Sequence, residues 1–293
     1  MESQLQKILA DVRARNEAMK AALGPNDGAR LVAARPDTPR GFTAALSAST
    51  SKTKIIAEIK RSSPSRGAIR EDLDPADLAH DYERGGAVAL SVLTERNFFH
   101  GSVEDLQAAR EATSLPVLRN DFIIDPYQVP RSYGTGADAI LVIVRAVEDD
   151  VTLRQIFDAA ENLRLDVLTE VWDEADAERA LRIGRDAPNA LRLVGINSRD
   201  LTTFETDLSR PAKIAEAFPD STTLVCLSGI RSRADIEDVR VSSRLRITRF
   251  LVGEALVTAE DPQDAMKKLR ADPPSIIEQA RIKNPALPSW SRR

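Results

Sequence analysis

The chain has 293 residues and a formal net charge of -4 at pH 7, and its interspersed acidic and basic residues exclude the basic field of a nucleic-acid-binding protein. A single cysteine, Cys226, excludes an internal disulfide and a multi-cysteine metal site, and His80 and His100 are too few to favour a triad or a histidine-ligated zinc. No apolar run approaches membrane-spanning length and the start lacks a basic segment, so we expect a cytoplasmic protein with no membrane partner.

The first part of the chain predicts helices. Residues 5–23 carry apolar side chains at helical spacing among lysine, arginine and glutamate, and Gly24-Pro25 ends that pattern. A weaker helical pattern covers residues 41–48. Because both segments precede the first predicted strand, we interpret residues 1–48 as an N-terminal helical extension packed on the main domain.

From residue 54 onward, short apolar runs alternate with helical patterns. The runs predict eight strands, at residues 55–59, 89–93, 116–118, 139–143, 167–171, 193–196, 224–227 and 250–252. The helices predicted between them cover residues 75–84, 103–112, 149–162, 174–183, 233–239 and 262–269. This alternation predicts an α/β fold, a single (β/α)8 TIM barrel over residues 49–271. An open doubly wound sheet is the alternative, but it would need a glycine-rich first turn, and Arg61-Ser62-Ser63-Pro64 is not one.

The first predicted strand ends in a charged pair. Glu58 and Lys60 are two residues apart, so their side chains should point to the same face of the strand. A carboxylate and an ammonium at the end of a buried strand are costly unless they are well paired or have a function. A purely structural ion pair is the alternative interpretation.

Polar residues also follow the other strands, at the end where the chemistry of a barrel of this class takes place. Two of these ends contain glycine, in Ser228-Gly229 and Gly253-Glu254. Glycine allows close approach of the backbone to a ligand, and the loops after strands seven and eight often bind phosphate in this fold. We therefore predict a phosphate site there, to which Lys60 and Ser63 could contribute, with two empty glycine turns as the alternative.

Several longer motifs resemble those of the indole-3-glycerol phosphate synthases, and they occur in the order of that family. They are EIKRSSPS at 58–65, SVLTE at 91–95, FFHGS at 98–102, PVLR at 116–119, DFIIDPYQ at 121–128, TEV at 169–171, GINSRDL at 195–201, SGIR at 228–231 and FLVGE at 250–254. A collection of this size is far more specific than one short pattern.

The resemblance implies a reaction of tryptophan biosynthesis. It implies that the chain converts 1-(2-carboxyphenylamino)-1-deoxyribulose 5-phosphate to indole-3-glycerol phosphate, water and carbon dioxide, with no metal or organic cofactor. By the same resemblance Glu170 is a base, Glu58 and Lys60 serve the acid–base and dehydration steps, and Asn197 orients the reacting groups. The predicted substrate-binding residues are Ser63, Pro64, Phe99, Phe122, Arg199, Ser228, Gly229, Leu251, Gly253 and Glu254.

One catalytic position departs from the family. After the third strand the family has a lysine that is its principal general acid, and this chain has Asn120. An amide can donate a hydrogen bond to the ketone, but it cannot deliver a proton at neutral pH. Three explanations stay open: a slow synthase that uses Lys60 or water as the acid, a paralogue that only binds the phosphate ester or has altered chemistry, and an engineered residue.

The end of the chain, residues 272–293, is rich in Pro, Lys, Arg and Ser and lacks an extended helical apolar stripe. We expect this tail to be partly disordered. For the whole chain we expect a small phosphorylated molecule as the binding partner, no nucleic acid, and a monomer or weak homodimer.

Overall fold

The computed structural model describes residues 3–24, 26–64, 66–199 and 206–271, so the predicted tail lies outside the described residues. Within them, eight parallel strands form a closed barrel. The strands are β1 Lys54–Ile59, β2 Ala89–Leu93, β3 Val117–Asn120, β4 Ala139–Ile143, β5 Asp166–Val171, β6 Leu193–Asn197, β7 Thr223–Leu227 and β8 Arg249–Val252.

The strands follow one another around the barrel in chain order. Closure occurs at β1, where Ile56 is in register with Ala89 of β2 on one side and with Leu251 of β8 on the other. The predicted (β/α)8 barrel is therefore confirmed, and the open doubly wound sheet is excluded. A two-stranded hairpin, Ser62–Ser63 with Gly67–Ala68, follows β1.

Helices precede the first strand, connect successive strands on the outside of the barrel and follow the last strand. They are α1 Gln4–Leu23, α2 Asp27–Ala34, α3 Phe42–Ala48, α4 Pro75–Gly85, α5 Val103–Ala112, α6 Gln128–Gly134, α7 Asp150–Asn162, α8 Glu174–Ile183, α9 Arg210–Ala215, α10 Arg233–Ser242, α11 Glu254–Val257 and α12 Pro262–Arg270. Within the described ranges, none of these helices is long and apolar enough to cross a membrane.

Most predicted helices have clear start signals. The first turns of α4, α5, α7, α8, α10 and α12 each donate a backbone N–H to the side chain of a preceding Asp or Ser.

The sequence interpretation missed α2, α6, α9 and α11. These four helices have eight, seven, six and four residues, which is too short for an apolar period to show.

The N-terminal helices contact both ends of the barrel. Phe42 and Leu46 of α3 are fully buried and join the apolar cluster of the barrel interior. The backbone N–H of Thr43 donates to Asp166, the first residue of β5, at 2.8 Å. Helix α3 therefore covers the end where the strands begin, which leaves the opposite end for a site.

A buried arginine fixes the segment between α2 and α3. The guanidinium of Arg35 donates to the carboxylate of Asp138 at 3.2 Å, to Asp37 at 2.9 Å and to the backbone oxygen of Ala137 at 2.7 Å. Its side chain is 1% exposed and lies 4.5 Å from the centre of the Tyr133 ring. Its loss would leave part of this polar cluster buried without a partner.

We expect Arg35→Met to lower the free energy of unfolding by about 3 kcal/mol, the scale of a broken buried ion pair. Urea unfolding followed by circular dichroism measures this change. Arg30→Met is the matched control, because the Arg30 side chain is 69% exposed and its loss should cost less than about 1 kcal/mol. Equal effects of the two substitutions would show that the Arg35 cluster does not stabilise the fold.

Candidate active site

The ends of the strands open into a cleft of about 650 Å³. Every residue predicted for catalysis or substrate binding lines it. They are Glu58, Lys60, Ser63, Pro64, Phe99, Asn120, Phe122, Glu170, Asn197, Arg199, Ser228, Gly229, Leu251, Gly253 and Glu254. The structure thus brings together predicted residues from every strand end except that of β4, while their individual roles stay predictions.

The first cluster in the cleft is built around Glu58. Lys60 Nζ donates to Oε2 of this carboxylate, which confirms that the two side chains share one face of the chain. Asn120, the last residue of β3, donates from Nδ2 to Oε1 of Glu58 at 3.2 Å and to the Ser91 hydroxyl at 3.2 Å. The ammonium and the amide therefore hold different oxygens of one buried carboxylate.

The second cluster is built around Glu170 near the end of β5. Its Oε1 accepts a hydrogen bond from Asn197 Nδ2 at 3.0 Å and another from the indole Nε1 of Trp172. Burial raises the pKa of Glu170, and the two hydrogen bonds oppose that rise because they favour the charged form. A buried carboxylate with a raised pKa is suited to accept a proton near neutral pH.

Gly253 lies directly against the first cluster. A Cβ atom at this position would overlap the Glu58 carboxylate and would be 2.9 Å from its Cδ. Because the conflict is with a buried side chain that two other groups hold, glycine is needed here for close approach of β8 to Glu58.

We expect Gly253→Ala to lower kcat/KM by about a hundredfold, the scale of a 1 Å misplacement at a reacting centre. The added methyl group would push the Glu58 carboxylate away from Lys60 and Asn120. Steady-state kinetics measures the loss, and Glu58→Asp in the same background should recover part of it by shortening the side chain. Wild-type kinetics in the single variant would show that the position of Glu58 is unimportant.

The backbone after β7 has an unusual conformation. Ser228 and Gly229 both have positive φ angles, of 63° and 81°. The helix that follows starts at Arg233, as the sequence predicted, and Asp235 already accepts the backbone N–H groups of Arg231 and Ser232 at 2.8 Å. Any anion near this turn would therefore meet the backbone of the turn itself rather than a free helix end.

Positive side chains form part of the cleft wall. Lys60, Arg66, Arg199 and Arg231 line it, and Arg66 forms an ion pair with Glu254 at the start of α11. Arg66 and Arg231 were not predicted. Arg231 belongs to the SGIR motif and could have been found there, whereas Arg66 is exposed and carries no signal in the sequence. Their charges favour an anionic ligand.

An apolar part of the cleft lies around two aromatic rings. The centroids of Phe99 and Phe122 are 6.1 Å apart, with the rings tilted by 43°. The fully buried carboxylate of Glu95 accepts the backbone N–H groups of Phe98 and Phe99 and a hydrogen bond from Arg15 of α1. Glu95 thereby fixes the loop that carries Phe99.

Other apolar lining residues escaped the sequence interpretation. They are Leu5, Ile8, Leu93, Leu141, Ile143, Trp172, Leu227 and Ile230. Trp172 directly follows β5, so the position of a strand end could have indicated it. Leu5 and Ile8 belong to α1, and nothing in the sequence showed that α1 reaches the cleft.

The fold and this cleft define a (β/α)8-barrel protein with a site at the carboxyl ends of its strands. The model of the family described as indole-3-glycerol phosphate synthase matches residues 5–269. An indole-3-glycerol phosphate synthase of Desulfosudis oleivorans is 48% identical over 217 residues, which cover 74% of this chain and 79% of that protein. The chain belongs to the indole-3-glycerol phosphate synthase family.

Solved structures show the same fold at low identity. 3-Hexulose-6-phosphate synthase from Salmonella typhimurium is 15% identical with a TM-score of 0.58, over 74% of this chain and 97% of that one. Thiamine phosphate pyrophosphorylase from Pyrococcus furiosus is 17% identical with a TM-score of 0.53, over 75% of this chain and 95% of that one. These likenesses concern the barrel alone.

Proposed function

We propose that this chain is an indole-3-glycerol phosphate synthase. It closes the indole ring of 1-(2-carboxyphenylamino)-1-deoxyribulose 5-phosphate and releases carbon dioxide and water. One observation carries the proposal: in this member of the family, the Glu58–Lys60 pair and the Glu170–Asn197 pair line the same cleft. The binding partner in this proposal is a small phosphorylated molecule. We further propose that the protein is cytoplasmic and is a monomer or a weak homodimer.

The reaction needs proton donors and acceptors at fixed places. The aromatic carbon that bears the carboxylate attacks the ketone, whose oxygen takes up a proton. Loss of carbon dioxide restores the aromatic ring, and the new hydroxyl then leaves as water while a base takes a proton from the neighbouring carbon. Each step requires a group that can give or accept a proton at one defined atom.

Lys60 is the acid in this proposal. It is the ammonium of the first cluster, and it shares the Glu58 carboxylate with Asn120. Asn120 donates a hydrogen bond to the ketone oxygen in place of the family's lysine, so it stabilises charge there without transferring a proton. A catalyst of this kind should be slower than one with an ammonium at the Asn120 position.

Glu170 is the base. Its raised pKa suits proton uptake, and Asn197 orients it from the neighbouring strand β6. The positive side chains that line the cleft accept the phosphate together with the turns Ser228-Gly229 and Gly253-Glu254. Arg199 is a further anchor. The apolar part around Phe99 and Phe122 accepts the aromatic ring.

A fluorescence assay for indoleglycerol phosphate formation by the purified chain tests the proposal. We expect slow but measurable formation of the product, which Glu170→Gln should lower by about a hundredfold or more. Calorimetric binding of the substrate without any product would favour a non-catalytic binder of the same phosphate ester. The absence of both binding and turnover would refute the proposed function.

A further inference from the structure

Trp172 has no part in the steps above, although it lines the cleft and is 7% exposed. Its indole Nε1 donates to Oε1 of Glu170, the oxygen that also accepts from Asn197 at 3.0 Å. Among the residues that the structure describes, no hydrogen-bond donor reaches Oε2 of Glu170. The two oxygens of this carboxylate are therefore different: one is held twice, and the other is available to a substrate.

The indole is itself held at two places. The guanidinium carbon of Arg145 lies 4.7 Å from the centre of the indole ring, at a distance typical of cation–π contact. Arg145 Nε donates to Oδ2 of Asp176 at 2.7 Å, and the backbone N–H of Trp172 donates to the same oxygen at 3.0 Å. Arg145 and Asp176 thus restrict the ring and the backbone of Trp172 together.

We propose that Trp172 is a positioning residue, which fixes Oε1 of Glu170 so that Oε2 exchanges the proton and which keeps the carboxylate ionised. The proton exchange rests on the proposed function, whereas the hydrogen bond and its effect on ionisation do not. The alternative is that Glu170 merely satisfies the buried indole N–H, as buried indoles usually require a partner.

The surroundings of Glu170 set the direction of the effect. Burial disfavours its ionised form most strongly, and the negative charge of Asp176 on α8 adds to this. The hydrogen bonds from Asn197 and Trp172 and the positive charge of Arg145 act in the opposite direction. Glu58 and Lys60 of the first cluster line the same cleft. Removing the indole N–H should therefore raise the pKa of Glu170 further.

The first test is Trp172→Phe, which keeps an aromatic ring beneath Arg145 but removes the N–H donor. We expect the acidic limb of the kcat/KM profile to move upward by about one pH unit, since a hydrogen bond to a charged group has roughly that effect. At alkaline pH the variant should approach the wild-type value. A uniform loss at every pH, with the limb in place, would overturn the proposal.

The second test needs no turnover and no altered Trp172. The chain has two tryptophans, Trp172 and Trp290, so Trp290→Phe leaves a single indole N–H signal in a ¹H–¹⁵N spectrum. We expect this signal to titrate with pH in Trp290→Phe and to become independent of pH in Trp290→Phe/Glu170→Gln. A signal that does not respond to pH when Glu170 is present would overturn the proposal even if the enzyme proves active. A titrating signal without turnover would support the hydrogen bond and refute only the proposed function.

Discussion

Glu170→Gln should lower kcat by about a hundred- to ten-thousand-fold, the usual contribution of a general base, with substrate binding largely retained. Glutamine keeps the size of the side chain and an oxygen that can accept from Asn197 and Trp172, but it cannot take up a proton. The fluorescence assay and calorimetry measure turnover and binding separately. Unchanged turnover would show that another group is the base.

The same substitution should stabilise the fold at neutral pH. Because burial raises the pKa of Glu170, the folded state binds this proton more tightly than the unfolded state does. The stability that Glu170 contributes is therefore fully present below its unfolded pKa and is lost as pH rises through its folded pKa. Neutral glutamine does not incur this loss. The variant should therefore be clearly more stable to urea than the parent protein at pH 7, and this difference should shrink at acidic pH.

This combination separates a lost base from a damaged protein. General damage would lower turnover and stability together, whereas removal of a buried ionised base lowers turnover and raises stability. A variant that is both inactive and less stable at pH 7 would contradict the role assigned to Glu170. The matched control is Glu174→Gln on α8, an exposed glutamate near the start of that helix, which should leave turnover unchanged.

The positions of the main cleft residues could be predicted because a barrel determines where its strands end. Glu58 and Glu170 follow from the period of two in a strand and from the end of an apolar run, which are both local properties. The closed order of the strands then places distant ends at one mouth. For this reason Asn120 and Asn197 could be assigned to one site although they lie 77 positions apart in the chain.

What the sequence could not show depends on contacts between distant segments. Arg35 and Asp138 meet because the linker before α3 crosses the end where the strands begin, and no periodic pattern encodes that crossing. The contact of Arg15 with Glu95, which brings α1 to the loop of Phe99, is of the same kind. A side-chain pair of this type becomes visible only when the packing of the extension is known.

The largest gain in activity should come from Asn120→Lys. An ammonium at the end of β3 restores a proton donor beside the ketone, and kcat should rise about a hundredfold or more, which corresponds to roughly 3 kcal/mol of barrier. The neighbouring Glu58 carboxylate, whose Oε1 is now 3.2 Å from Asn120 Nδ2, can pair with the new charge and keep it protonated. The measurement is kcat in the fluorescence assay under saturating substrate.

Asn120→Met is the matched control, because methionine has a comparable length and no proton to donate. It should remain as slow as the parent or become slower, since it also loses the hydrogen bonds to Glu58 and Ser91. Because Asn120 can already bind the ketone in the ground state, the gain from lysine should appear in kcat rather than in KM. The Asn120→Lys protein could fold and bind substrate yet form no more product than the parent. That result would show that the absent acid does not limit turnover. A binding protein or an altered reaction would then be the better interpretation.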